Sequence, residues 1–85
     1  MSVASNKAIV LRLMDEFFDH QNAAVWDELV HPDVVIHGVS GILRGSAEAK
    51  RFYAGMFAAF QPWHATVEDM IAEDERVVVR LVAIF

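Results

Sequence analysis

Apolar residues recur at helical spacing near the start of the chain. Ile9, Val10, Leu13, Met14, Phe17 and Phe18 make one broad face, with Arg12, Asp15, Glu16 and Asp19 largely opposite. Ser5 or Asn6 is the expected N-cap. Arg12 and Glu16 stand one helical turn apart, a pair worth about 0.2–0.5 kcal/mol. This helix is expected to fray near His20 and Gln21. Asn22 can cap a second, short helix carrying Val25, Trp26, Leu29 and Val30, which Pro32 stops because the residue before a proline is driven out of the helical region. Residues 34–37 (Val-Val-Ile-His) read as a short strand, and Gly38, Gly41 and Gly45 punctuate the loop expected after it.

Ser46 is the expected cap of a third helix, in which Ala49, Phe52, Tyr53, Met56, Phe57 and Phe60 fall on one apolar face until Pro62 ends it. Residues 63–72 read as a strand, 73–76 as a tight acidic turn, and 77–85 as a long strand of β-branched and aromatic residues. That turn sets Ala72 against Val77 and Asp69 against Arg80, placing a carboxylate beside a guanidinium across the strands. The order helix, helix, strand, helix, strand, strand implies an α+β fold with helices laid on a curved antiparallel sheet. The last strand finds only one clear partner upstream, so its other edge is expected to pair or pack with a second copy of the chain.

The 85 residues bound the chain to one domain, residues 1–85. There is no cysteine, hence no disulfide and no thiolate chemistry, which fits a reducing, cytoplasmic setting. A net charge of −5 with no Lys/Arg cluster argues against nucleic acid as a partner. No apolar run approaches the roughly 20 residues of a membrane span. At 55% hydrophobic residues, some apolar surface is expected to meet another subunit. The four histidines lie on different elements without metal-ligand spacing, and the run Glu73-Asp74-Glu75 lacks the alternating oxygens and glycine of a calcium loop. Neither a phosphate-binding glycine loop nor a nucleophile elbow is present.

The pieces, taken in order, resemble a known family. Phe17-Phe18 on the first helix is followed by Trp26-Asp27-Glu28-Leu29-Val30-His31-Pro32-Asp33, Val35-Ile36-His37, the glycines Gly41 and Gly45, Lys50-Arg51-Phe52-Tyr53, Val67-Glu68-Asp69-Met70-Ile71-Ala72-Glu73, and Arg76-Val77-Val78-Val79-Arg80. Together they are similar to the SnoaL-like polyketide cyclases of the nuclear transport factor 2-like superfamily. The resemblance implies a cone-shaped fold, here shortened, because relatives continue past the position of Phe85 with long strands that complete the cone. It implies a pocket for a hydrophobic small molecule and, in an enzyme, cofactor-free proton transfer such as aldol cyclisation or isomerisation. Gapless matching puts Ile36 where cyclases can carry asparagine and Gly38 where ketosteroid isomerases carry their aspartate base. Neither residue can move a proton.

His37, at a position where relatives often have histidine, is the candidate acid–base group. Its other reading is a strand-end histidine bonded to loop backbone. Strict alternation puts His37 and Ile36 on opposite faces, so at most one faces a pocket. Phe17, Ile36, Tyr53, Phe57 and Trp63 are the candidate pocket walls; the competing reading makes them core. His64 next to Trp63 is expected on the surface, as is His20, and His31-Pro32-Asp33 reads as turn chemistry. Two functions therefore stand side by side: a small-molecule pocket protein of cyclase or isomerase type without cofactor or metal, and a non-catalytic ligand-binding or oligomerisation module. Both expect a homo-oligomer joined through residues 77–85.

Overall fold

The computed structural model describes residues 2–38 and 41–85. Helix α1 (Val3–Arg12) runs without a break into a π-helical stretch, Leu13–Asp19, and α2 (Ala23–Leu29) follows. Then come the hairpin of β1 (Val35–Gly38) and β2 (Gly41–Arg44), α3 (Ser46–Ala59), and the long hairpin of β3 (His64–Glu73) and β4 (Arg76–Ile84). The result is an α+β fold of three helices and four strands in two small antiparallel sheets.

Local chemistry sets the ends of the elements, in places other than those expected. The first cap is Ser2, not Ser5 or Asn6: its hydroxyl accepts from the Ser5 N–H at 3.1 Å, so the helix begins a turn earlier. Asn22 caps α2 as expected, accepting from the Ala24 N–H at 3.1 Å. That helix stops at Leu29, ahead of Pro32, because Val30 is already extended and packs its side chain onto the core. Gly45, with φ of 88°, precedes α3 in place of a Ser46 cap. The Ser46 hydroxyl is occupied elsewhere, accepting from Trp26 Nε1 at 3.0 Å.

The glycine-rich segment expected to be a loop contains β2. Its register pairs Ile36 with Leu43 and His37 with Ile42. Ile36 and Leu43 pack against the core, while His37 and Ile42 are exposed on the other side. Val39 and Ser40 of the expected loop lie outside the described residues. In the long hairpin Ala72 opposes Val77 and Asp69 opposes Arg80, as the turn length requires. A bulge between Val67 and Asp69 shifts the strand, however, and Arg80 lies 3.9 Å from Glu68 rather than pairing with Asp69. Burial then alternates strictly along β4: Val77, Val79, Leu81 and Ala83 are half-buried, and Val78, Arg80, Val82 and Ile84 are exposed.

The core is a layer of rings. Phe17, Trp26, Phe57 and Trp63 are buried with Ala49, and Leu13, Phe18, Val30, Ile36, Leu43, Tyr53, Met56 and Ala83 pack around them. The apolar face of α3 is narrower than its sequence suggests. Ala49 and Phe57 are buried, but Phe52 and Phe60 are exposed, because the elements beneath α3 cover only the middle of that face. We therefore expect Phe57→Ala to destabilise the fold by about 3–5 kcal/mol, whereas Phe52→Ala, at 41% exposure, should stay near the roughly 0.5 kcal/mol typical of surface changes. Chemical denaturation of the two variants against the parent chain checks both values, and equal losses would mean that the face is assigned wrongly.

Candidate functional site

The residues expected to wall a pocket come together, and they do so as packing. The rings of Phe17 and Phe57 lie 5.4 Å apart, those of Phe57 and Trp63 also 5.4 Å, and those of Phe17 and Tyr53 6.2 Å, with mostly tilted or edge-on geometry. Phe17, Phe57 and Trp63 are buried, while Tyr53 and Ile36 are half-buried at the edge of the layer. Burial pushes the Tyr53 phenol up, so the hydroxyl stays protonated and does not serve as a base. His37 stands on the exposed side of β1, facing away from Ile36 and this layer.

Two open grooves lie elsewhere. One, of about 880 Å³, runs along the tip of the long hairpin beside Val3, Ile71 and Val78, and its remaining lining is the acidic turn Glu73, Asp74 and Glu75 with Arg76. These turn residues are exposed, as a solvated turn should be. The other, of about 580 Å³, lies between the first helix and β3. Ala8, Leu11, Met14, Ala65 and Val67 line it with apolar surface, and Arg12, Asp15, Glu16, Asp19 and Thr66 add the polar groups. An apolar surface with a few convergent polar groups in this size range is the usual make-up of a small-molecule site.

The π-helical stretch shapes this groove. Phe17 and Phe18 go to the core while Met14, Asp15, Glu16 and Asp19 line the groove. Such turns are rare and recur at functional sites. Its C-terminal end is tied to the strand: Asp19 Oδ1 accepts from the Ala65 N–H at 2.9 Å, and Trp63 Nε1 donates to the Phe18 carbonyl at 2.7 Å. Arg12 is held by two carboxylates, Glu16 at 2.7 Å and Glu28 of α2, so its charge is neutralised within the fold.

At one end of the groove Asp15, Asp19 and His20 bring possible ligand atoms within 4.8 Å of one another. The sequence reading had seen no such grouping. His20 Nδ1 lies 3.7 Å from both Asp15 Oδ1 and Asp19 Oδ2, and His64 Nδ1 lies 3.7 Å from Asp19 Oδ1. Nδ1 of His20 also sits 2.8 Å from the Asp15 carbonyl, where it must be the donor because a carbonyl only accepts.

The family-model comparison matches a SnoaL-like domain over residues 10–85, and the chain belongs to that family, within the nuclear transport factor 2-like superfamily. No curated protein and no solved structure shows a significant match to it. Among the described residues no helix is long and apolar enough to cross a membrane.

The His20 contacts carry a pH signature. Donation to the Asp15 carbonyl, helped by the charges of Asp15, Asp19 and Glu16, raises its pKa above the ordinary imidazole value. A raised folded-state pKa means that the folded chain holds the proton more tightly than the unfolded one. The resulting stability is fully present below the unfolded value, about 6.5, and is lost as pH rises through the folded value. The expected outcome is a melting-temperature advantage of the parent over His20→Gln at pH 5 that shrinks to nothing by pH 8. An advantage that grows with pH would contradict the assigned contact.

Proposed function

We propose that this SnoaL-like domain binds a small hydrophobic molecule in the groove between the first helix and β3. The observation that supports this reading is the groove itself: a helical and a strand wall tied together by Asp19 and Ala65, five apolar residues, and polar groups gathered on its rim. The aromatic layer of Phe17, Tyr53, Phe57 and Trp63 then holds the walls in place and is not itself the wall. Proton transfer through His37, the chemistry the resemblance implies, lacks this kind of support, because His37 is exposed on the far side of β1. Ligand binding without catalysis is therefore the reading we favour, in a cytoplasmic setting proposed on the cysteine-free composition alone. Phenylbutanol titrated into isotopically labelled protein tests it. Amide and methyl shifts should cluster on Leu11, Met14, Ala65 and Val67. Shifts centred on His37, Ile36 and Tyr53 would return the site to the aromatic layer and restore the cyclase reading.

A separate observation favours pairing of two copies as a second role. The outer face of the long hairpin exposes Ile71 (63%) beside Val78 (64%), and Val82 near Ile84 (65%), with Asp69 and Arg80 between the two patches. A two-fold axis through the middle of that face lays one apolar patch on the other and sets Asp69 of each copy near Arg80 of its partner. Of the two sets of side chains on the last strand, the exposed one is Val78, Val82 and Ile84, which supports face-to-face packing over strand addition. Light scattering at low micromolar concentration is expected to give twice the 9.5 kDa chain mass, and Val78→Lys to give the single mass. A parent chain that is folded and monomeric would remove this role.

A further inference from the structure

We infer that the ligand of the helix–β3 groove is an amphiphilic amine, its ammonium seated between Asp15 and Asp19 and its hydrocarbon body lying on Leu11, Met14, Ala65 and Val67. This rests on the groove being the binding site, and it adds the ligand's charge and orientation. The argument is one of charge against shape. The rim carries one cation, Arg12, against three carboxylates, Asp15, Glu16 and Asp19. Arg12 is already bound on two sides by Glu16 and Glu28, so it is not available to an anion. Glu16 is engaged by the same pairing. Asp15 and Asp19 remain, with ligand atoms within 4.8 Å of one another, a gap that a single ammonium can bridge by donating to both. Hydrogen bonds with an ionised partner are the stronger kind. Asp19 has a second oxygen to spare, because only Oδ1 is used by the Ala65 N–H.

The groups facing this point from each neighbouring element are few. Asp15, Asp19, Glu16 and His20 come from the first helix and the residue after it, and His64 and Thr66 come from β3. The two histidines are neutral or positive, so an amine competes with their protonated forms. Its affinity should fall as pH drops through the imidazole range, where an alcohol's should not.

Three probes of one shape isolate the charge: phenylbutylamine, phenylbutanol and phenylbutyrate, each titrated into the full chain at pH 7.5 and followed by amide shifts. The expected order is amine, then alcohol, then acid, with the amine about tenfold tighter than the alcohol and this ratio shrinking at high salt. Asp15→Asn should bring the amine-to-alcohol ratio close to one, as should Asp19→Asn, which keeps an acceptor for the Ala65 N–H. Asp15 is exposed, so its variant is expected to fold even if the other does not. If amine and alcohol bind the groove equally, or the ratio survives Asp15→Asn, the ammonium site is wrong and the groove stands. If none of the probes shifts the groove residues, the groove reading itself fails.

Discussion

Two tryptophans fix the relative positions of nearly everything else. Trp26, 2% exposed, carries an indole N–H that must find an acceptor once it leaves water, and it finds both the hydroxyl and the carbonyl of Ser46 at the start of α3. Trp63 meets the same demand by donating to the Phe18 carbonyl on the first helix. One indole thus joins α2 to α3, and the other joins the first helix to the start of β3. An unpaired buried donor costs about 1–3 kcal/mol, so each pairing penalises any slide of one element along another. Between them Phe17 and Phe57 fill the space, and the rings leave the layer solid.

A solid layer displaces function to its edges. With Phe17, Phe57 and Trp63 packed on one another, the apolar surface left open to a ligand lies on the other side of the first helix, against β3. The π-helical stretch lets one short segment serve both sides, sending Phe17 and Phe18 inward and Met14, Asp15 and Asp19 to the groove. The Asp19–Ala65 hydrogen bond then sets how far that segment stands from the strand. The same carboxylate that closes the fold at this point also lines the groove, so groove geometry and fold stability are not independent there.

Much of this architecture is legible in the residues. The register of the long hairpin follows from a two-residue turn and period-2 alternation, which is why Asp69 falls opposite Arg80. The bulge that hands Arg80 to Glu68 leaves no mark in that alternation, because Glu68 and Asp69 are both charged. The strand β2 is only four residues long and begins at a glycine, so the turn signals outweigh it. The spacing of Leu13, Met14, Phe17 and Phe18 suits an ordinary helix as well as a π-helical one, and the sequence period alone does not separate them. The groove is the least legible feature. It depends on a contact between residues 46 positions apart, and its acidic members read as the solvated face of a helix. A cue existed nonetheless: Asp15, Glu16 and Asp19 crowd one helical turn beside His20 with a single arginine to balance them.

The two proposed surfaces meet at Thr66. It lines the groove, and it lies on the outer face of β3 directly opposite Val82, in the row that would pack against a second copy. A ligand seated against Thr66 and a partner chain seated on Val82 therefore act on the same short length of strand. Coupling between two such events is reciprocal: whatever pairing does to ligand affinity, ligand must do to pairing. The bulge just beyond Val67 gives the strand a place to bend without breaking its pairing with β4. That makes residues 65–69 the segment through which the inner chemistry of the groove and the outer face of the hairpin act on each other, while the aromatic layer behind it stays rigid.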